Sequence, residues 1–398
     1  MSGDPDQEYF ADGVTEDIIT ELSRFHELFV IARNSSFTYK GRAVDVRTVA
    51  ADLGVRYVLE GSVRKATTRI RVTGQLIDAL TGNHIWADRF DRELEDVFAV
   101  QEELTQSIVS AITPHIDEAE VSRVRRRRPD NLTAYEIAVR ANAKAWESYV
   151  KADRALRNEA IGEAQAALAI DARSTLALNT IALAHAQHIV LMTADRETSW
   201  RDGLAAATRS VEADRGGGIG HTWKGVFLAL ALDRSRIAEA LANARRGHEL
   251  NPHAMLSLFG LAFVEVQASE PAQAIEHARQ GLRISPRDPF CHMLHHQAAR
   301  ASFCLGRYAD GVRHALLGIN EAPDHPLLYT VLAACHVGLG EVDKARTVLE
   351  TVRQLAPELV AQEGAGWGTT DDEYRRRYRT FMRIAIGAEE PGAADALR

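Results

Sequence analysis

The chain has 398 residues, of which 46% are hydrophobic and 26% charged, and its formal net charge is −8. This balance excludes a disordered or membrane-embedded chain, and the acidic charge argues against a general nucleic-acid binder. The length is sufficient for more than one domain. Three cysteines are too few for a disulfide framework, and neither a bilayer-long apolar run nor a signal peptide is present, so a cytoplasmic location is expected.

Residues 1–118 predict a small α/β domain. Thr15 is a candidate N-cap of a first helix that carries Ile18 and Leu22 on its apolar face. The apolar run at residues 28–32 predicts a buried strand. Residues 45–53 have apolar positions at helical spacing and are followed by Gly54, a C-cap signal.

Three strands and a long helix follow. Residues 55–64, 69–78 and 84–90 read as strands, and the middle one alternates cleanly between apolar and polar side chains. Residues 96–116 form an amphipathic helix. This order of elements predicts an α/β domain with a mixed sheet.

Four blocks of this region resemble the TolB-type amino-terminal domain of bacterial signalling proteins: residues 9–18, 30–36, 57–64 and 75–79. In those proteins the domain precedes tetratricopeptide repeats and follows an effector, commonly a class III adenylate/guanylate cyclase domain or a CadC-like winged-helix domain. The resemblance implies an interaction or sensing module and brings no catalytic residues.

One departure from that family concerns the first strand. Family members have an apolar strand directly before the segment that begins at Ser2, whereas this chain starts at Met1. We therefore expect the sheet to lack its first strand, which would expose unpaired backbone groups at an inner position. The hypothesis is a fragment, or a reading frame started at an internal methionine.

Residues 119–132 are predicted to be a basic linker. The run at residues 125–128 is four arginines, interpreted as a solvated hinge, with contact to a phosphate or acidic partner as the alternative. Thr133 then begins a helical region, with Glu136 at capping-box spacing.

Residues 133–220 are predicted to be degenerate helical repeats. Small or compact side chains recur there at spacings of four and three residues, with an insertion expected around residues 190–200: Ala160, Ala164 and Ala167, then Leu204, Thr208 and Val211. Gly216 to Gly218 predicts a turn between repeats, because no strand precedes it and no Lys-Ser/Thr follows.

Residues 221–357 repeat one pattern at a period near 34, which is typical of a stacked helix-turn-helix array. Ala240, Ala244 and Gly247 share one helix face, and Pro252 follows that helix. The same spacing returns in three later units: Ala274, Ala278, Gly281 and Pro286; Gly311, Ala315, Gly318 and Pro323; and Ala345, Leu349, Val352 and Pro357.

This pattern resembles the tetratricopeptide repeat family, which implies a right-handed all-α solenoid. Gly306 and Gly340 stand where the turn within a helix pair needs a permissive backbone. Residues 358–398 are predicted to be a capping helix, at 374–386, and a loose tail from 391.

The resemblance also implies which side chains line a concave peptide groove. Carried over unit by unit, they are Leu256, Phe259, Phe263 and Val266; Met293, His296, Arg300 and Phe303; and Leu327, Thr330, Ala334 and Val337. Such a surface would be apolar with one basic point, suited to a peptide segment that carries an acidic group. The alternative is that these side chains simply pack inside the superhelix.

No catalytic motif or cofactor-binding loop is present, so no cofactor is expected. One cluster has weak metal-like spacing, since its members form two i,i+4 pairs on a helix: Cys291, His292, His295 and His296. Packing or solvent exposure is the more common role of such side chains.

Together these patterns predict a non-enzymatic scaffold for protein–protein interaction or sensing in a bacterial signalling protein. It would bind a protein or peptide, or its own effector domain, and would bind no nucleic acid. Two rival hypotheses are the regulatory C-terminal portion of a class III cyclase and the sensory half of a winged-helix transcription regulator.

Overall fold

The computed structural model describes residues 5–23, 28, 30–42, 44–66, 69–93, 97–125, 133–231, 233–252, 254–284, 290–361, 371–395 and 397. These residues form two compact units, Met1–Ser122 and Arg123–Arg398. Within the described part of the chain, no helix has both the length and the apolar character that a bilayer crossing requires. The arginines at 126–128 of the predicted hinge lie outside the described residues.

The described residues of the first unit form four α-helices and a three-stranded sheet. The helices are α1 (Pro5–Leu22), α2 (Arg33–Ser36), α3 (Val46–Leu53) and α4 (Val97–Arg125), and the strands are β1 (Tyr57–Ala66), β2 (Arg69–Asp78) and β3 (Asn83–Glu93). The strand order is β1-β2-β3, and both pairings are antiparallel. The α/β class is confirmed, but the sheet differs from the mixed sheet that was predicted.

The difference lies in the apolar run at residues 28–32. Leu28, Val30, Ile31 and Ala32 belong to no strand, and Phe29 lies outside the described residues. The remaining strands follow one another through short connections, and such neighbours pair antiparallel. The predicted N-cap at Thr15 is also wrong, because α1 starts ten residues earlier and the Thr15 hydroxyl donates to the Ala11 carbonyl at 2.8 Å.

The other local signals of this unit are confirmed. Asp45 caps α3 by accepting the Arg47 amide hydrogen, and Gly54 ends it in the left-handed region at φ 66°. In β2 the apolar side chains Ile70 and Val72 are buried. The Tyr57 hydroxyl of β1 donates to Glu120 Oε1 of α4 at 2.6 Å, so a polar contact joins the sheet to the long helix.

The second unit is a tetratricopeptide-type solenoid, in which the described residues form six antiparallel helix pairs. Thr133 begins it with the predicted capping box. The first helices of the pairs are α5 (Ala134–Val150), α7 (Thr175–Val190), α9 (Gly218–Leu230), α11 (Met255–Gln267), α13 (Cys291–Cys304) and α15 (Pro326–Gly338). The second helices are α6 (Arg154–Ile170), α8 (Arg196–Ala213), α10 (Ile237–Leu250), α12 (Pro271–Ile284), α14 (Tyr308–Glu321) and α16 (Val342–Leu355).

Each second helix packs between its own partner and the next first helix, and successive first helices also touch. The small side chains at the predicted spacing make this possible. A Cβ atom at Gly281 would lie 2.3 Å from the Leu294 side chain, and one at Gly318 would lie 2.7 Å from Leu328. The repeat spacing therefore encodes close helix approach, as expected.

The spacing in α8 was predicted one residue out of register. The buried face contains Gly203, Ala207 and Ser210 rather than Leu204, Thr208 and Val211. A Cβ atom at Gly203 would lie 2.1 Å from the Phe227 ring, so only glycine fits there. An insertion was predicted around residues 190–200, and the longer period comes mostly from the 16 and 18 residues of α7 and α8.

The turn inside most pairs depends on one residue in the left-handed region. Gly306 and Gly340 have φ of 70° and 80°, which confirms their predicted role. The equivalent turns of three other pairs place non-glycine residues there: Ala152 at 52°, Met192 at 54° and Ser269 at 63°. Such residues adopt this conformation at a cost.

The chain ends with α17 (Pro357–Ala361) and α18 (Asp372–Ile386). The predicted capping helix is confirmed as α18, which packs on α15 and α16. The tail is not loose along its whole length. Residues Pro391–Ala394 form a 3-10 turn, and Ala394 is fully buried in the core of the last repeats.

Candidate functional site

The solenoid curls tightly enough for its first pair to touch its fifth. Trp146 of α5 stacks on Phe290, just before α13, with 4.3 Å between the ring centroids. The inner face of the superhelix is therefore closed in this region, and it is not a continuous open groove.

A cavity of about 60 Å³ lies on this inner face. Six helices contribute its walls, all of them first helices of their pairs. The lining side chains are Tyr149, Leu183, Ala186, Gln187, Val190, Trp223, Val226, Leu230, Phe259, Phe263, Gln267, Met293, His296, Gln297, Arg300 and Leu327. The walls are mainly apolar, and a few polar side chains from several helices interrupt them, as in small-ligand sites.

The predicted groove residues divide into two groups. Six of the twelve line the cavity: Phe259, Phe263, Met293, His296, Arg300 and Leu327. Each of the six is less than one-tenth exposed. The remaining six predicted positions do not line it, and they pack within the solenoid: Leu256, Val266, Phe303, Thr330, Ala334 and Val337.

Helix α18 explains why Phe303 and Thr330 are covered. The Phe303 ring makes edge-on contacts with Tyr378 and Phe381 of α18, each with 5.7 Å between centroids. Thr330 is hydrogen-bonded to Tyr378. The C-terminal helix of this chain thus occupies the end of the inner face that the later repeats form.

Arg300 is the charged group of the cavity. It is only 3% exposed, its Nη1 donates to Gln297 Oε1 at 2.9 Å, and its guanidinium lies 5.2 Å from the centre of the Phe263 ring. Burial lowers the pKa of Arg300 to about 10, and the neighbouring acidic groups, Cys304, Tyr378 and Tyr149, offset this only in part. At neutral pH the cavity therefore holds a positive charge among apolar walls.

A hydrogen-bond chain fixes the state of His296. Since a guanidinium can only donate, the Gln297 atom facing Arg300 is its carbonyl oxygen. The Gln297 amide nitrogen, 3.3 Å from His296 Nδ1, therefore donates to that atom. Burial, followed by the charge of Arg300, holds the His296 pKa well below its usual value, so the imidazole is neutral.

Neutral histidine carries one ring hydrogen, and this chain places it on Nε2. His296 Nε2 is buried and has no hydrogen-bond partner among the described residues. His296 lines the cavity together with Arg300, and its Nε2 hydrogen has no acceptor among the described residues.

The cysteine and histidine cluster of α13 is also buried. Cys291, His292, His295 and His296 are each less than one-tenth exposed. His295 Nδ1 lies 3.2 Å from His314 Nδ1, while His292 and His296 face His325 at ring-centroid distances of 5.3 and 6.0 Å. Within the described part of the chain, no three His, Cys, Asp or Glu side chains are grouped to hold a metal ion.

Ten of the sixteen residues that line the cavity were not predicted from the sequence. Tyr149 and Gln187 come from the first two pairs, where neither the proline nor a constant period fixes the register, and Trp223 comes from the third pair, to which the groove positions were not extended. One signal could have indicated an inner face there. Gln187 is a buried polar residue, and aromatic residues stand at compatible helix positions.

The chain is similar in sequence to part of one curated protein. No protein-family model matches it. The Rhizobium meliloti (strain 1021) protein named putative adenylate cyclase 3 is 57% identical over 141 residues, which are 35% of this chain and 24% of that protein. The match therefore spans about a quarter of that relative's length.

Solved structures with similarity to the chain include helical-repeat proteins. The APC/C hetero-tetramer Cut9–Hcn1 has 13% identity and a TM-score of 0.46 over 71% of this chain and 49% of that one. A tetratricopeptide repeat protein from Parabacteroides merdae has 13% identity and a TM-score of 0.36, over 66% of this chain and 93% of that one. Pseudomonas aeruginosa PilF has 17% identity and a TM-score of 0.37, over 56% of this chain and 94% of that one. These scores are too low to support an argument, and the fold is assigned from the helix arrangement itself.

Proposed function

We propose that this chain is a non-catalytic interaction and sensory scaffold of a bacterial signalling protein, and that it acts together with a nucleotide cyclase. The observation that carries the proposal is the common inner surface that the first helices of six pairs contribute to one cavity. Solenoids of this kind present a surface and do not enclose a set of catalytic groups. Cyclase association is supported by the 57% identity to putative adenylate cyclase 3.

The first unit has a separate part in this proposal. Its four TolB-like sequence blocks lie on α1, on and before α2, on β1 and on β2. A TolB-type role would make this unit the contact with the effector domain, while the inner surface of the solenoid would bind the signal. That signal would be an apolar group bearing an acid, because Arg300 is the charge on this surface.

Two measurements test the proposal. The tagged chain is co-expressed with the part of the Rhizobium meliloti protein that lies outside the matched 141 residues, and co-purification is expected. The purified chain alone is then incubated with ATP, and no cyclic AMP is expected. Failure to co-purify would contradict the interaction, and cyclic AMP formed by the chain alone would contradict the non-catalytic assignment.

A further inference from the structure

Strand β3 forms an open edge of the sheet in the first unit. Among the described elements it makes extensive contact with β2 alone, whereas α1 and α3 contact β1. The strand runs for 11 residues, Asn83–Glu93, and no backbone–backbone hydrogen bond outside the sheet joins it to another described residue. A long edge of this kind is a template for a further strand.

The backbone groups of Arg89 point to this open edge. Thr73 of β2 stands opposite Arg89, and its carbonyl oxygen would lie 2.3 Å from a Cβ atom at Gly61 of β1. Thr73 therefore directs its carbonyl to β1. Both backbone groups of a residue in an antiparallel ladder point to one side, and neighbouring residues alternate. The backbone groups of Arg89, and those of Asp91 two positions on, therefore point away from β2.

Adjacent side chains of β3 bond two of these outward groups. The Arg89 amide donates to Asp88 Oδ1 at 2.8 Å, and Arg92 Nη1 donates to the Asp91 carbonyl at 3.0 Å. Both side chains belong to the strand itself, so a second strand can take over these backbone groups without disturbing the sheet.

The charges along β3 are complementary to their own reversed order. Asp88, Arg89, Asp91 and Arg92 alternate in sign on the two sides of Phe90. In an antiparallel pair of β3 strands that places Phe90 opposite Phe90, Asp88 faces Arg92 of the second copy. Arg89 then faces Asp91 of the second copy. Residues directly opposite share one face of the sheet, with Cβ atoms about 4.5–5.5 Å apart, so every charged contact joins opposite signs.

The same charges exclude other registers. A slip of one residue places Asp88 opposite Asp91, or Arg89 opposite Arg92. A slip of two residues places Arg89 or Asp91 opposite its own copy. Like charges directly opposite one another are destabilising, and a charged edge repels a strand that does not match it. The pattern therefore favours one register and a second copy of this chain.

The side chains that would form the outer contacts are accessible. Arg89 and Asp91 are 62% and 47% exposed, and within the chain Asp91 forms an ion pair with Arg71 of β2. Pairing of two chains would extend this row of alternating charges from one sheet to the next. Phe90, half-buried on the opposite face, would contact its own copy.

We propose that the first unit pairs with a second copy of this chain through β3, antiparallel and centred on Phe90, so that two three-stranded sheets form one continuous sheet. The contact is isologous, as in most two-fold dimers. It is also small, so the association should be reversible. The dimer would form without any other protein and is independent of the proposed cyclase association.

The first test is sedimentation velocity of the full chain over a concentration series from about 1 to 100 µM, the range in which weak contacts dissociate. We expect a reversible equilibrium between monomer and dimer. A chain that stays monomeric over the whole series would overturn the proposal, and β3 would then be left to a strand of a different protein.

Charge reversal tests the register. Arg89→Asp and Asp91→Arg each place like charges opposite one another in the dimer, so each should weaken self-association about tenfold or more. An equal mixture of the two variants should form a heterodimer, because each supplies the charge that the other needs. Arg64→Asp, an exposed charge reversal on β1, is the matched control and should leave the dimer unchanged.

Two outcomes of these variants would contradict the assignment. One is dimerisation of Arg89→Asp at the affinity of the parent chain. The other is dissociation caused by Arg64→Asp, which would move the contact to the β1 edge. Circular dichroism of each variant should match that of the parent chain, because the substituted side chains are exposed.

Amide hydrogen exchange supplies a readout that does not depend on charge. The amides of Arg89 and Asp91 should exchange more slowly as the chain concentration rises, because a second strand would accept their hydrogens. The amide of Thr73 in the central strand should not change. Dimerisation that leaves the exchange of Arg89 and Asp91 unaltered would show that β3 is not the contact.

Discussion

The imidazole of His325 stands edge-on to the phenol ring of Tyr149, with 4.6 Å between the ring centroids and 74° between the planes. Tyr149 ends the first helix of the first pair, and His325 precedes the first helix of the sixth. Residues 176 positions apart are thus in direct contact, and the array of repeats closes on itself.

This closure predicts that the solenoid unfolds as one unit. Tyr149→Ala removes a buried ring and should lower the free energy of unfolding by about 3–5 kcal/mol. Amide hydrogen exchange should then accelerate in α15 as much as in α5. An open array has only nearest-neighbour coupling, so in that case the acceleration would stay within α5 and α7. Tyr135→Ala, at the exposed start of the same helix, is the control and should have little effect.

The buried histidines predict loss of stability in acid. Burial holds the pKa of His296 and His325 well below the usual value and lowers that of His295 to about 4. In the unfolded chain these groups bind protons as the pH falls below about 6.5, while the folded state does not. Each therefore contributes stability that is complete above about pH 6.5 and declines by about 1.4 kcal/mol per pH unit below it.

His325→Phe tests this dependence at one position. Both ring nitrogens of His325 are buried without a hydrogen-bond partner among the described residues. Replacing them with an apolar ring should raise stability by about 1 kcal/mol at pH 7 and by more at pH 5. Thermal denaturation between pH 5 and 8 measures the effect, with the exposed His84→Phe as control. An unchanged slope against pH would show that His325 titrates normally.

The left-handed positions in the turns within helix pairs predict opposite changes in stability. Replacing glycine by alanine there should lower it, and replacing alanine by glycine should raise it. Gly340→Ala places a Cβ at φ 80° and should cost about 1–2 kcal/mol. Ala152→Gly relieves the same strain at φ 52° and should raise stability by up to about 1 kcal/mol. Gly162→Ala is the matched comparison inside α6, where helix propensity favours alanine. Chemical denaturation should therefore show a loss of stability for Gly340→Ala and a gain for Ala152→Gly and Gly162→Ala. Stabilisation by Gly340→Ala would contradict this prediction.

Helix α18 is predicted to be an integral part of the solenoid. Phe381 is fully buried against Phe303 and Tyr308, so Phe381→Ala should cost about 3–5 kcal/mol. Arg379→Ala on the exposed face of α18 should be close to neutral. If urea denaturation showed equal effects of the two substitutions, the packing of α18 on the last repeats would be refuted.

The sequence predicted the solenoid best where small residues recur at fixed spacing. Ala240, Ala244 and Gly247 identified a buried helix face because a larger side chain there would collide with the next helix. The register of α8 was missed, since Leu204 has the same spacing as Gly203 and only the three-dimensional position of Phe227 distinguishes them. Local capping signals such as Asp45 and Thr133 were correct because they depend on adjacent residues alone.

Contacts between residues far apart in the chain could not be predicted from local sequence patterns. The contact between Tyr149 and His325 depends on the accumulated rotation of six pairs, and no local pattern records it. The same holds for α18, whose amphipathic pattern predicted a capping helix but not the burial of Phe303 and Thr330. Arg300 was therefore expected on an open groove, whereas the structure buries it in the wall of a cavity on the inner face.

The most direct test of the proposed role is the rate of cyclic AMP formation by the remainder of the Rhizobium meliloti protein, measured with and without this chain at saturating concentration. The account predicts that adding the chain changes the rate, and that heat-denatured chain does not. A rate that stays constant across the whole titration, with both proteins folded, would contradict the proposed regulatory scaffold.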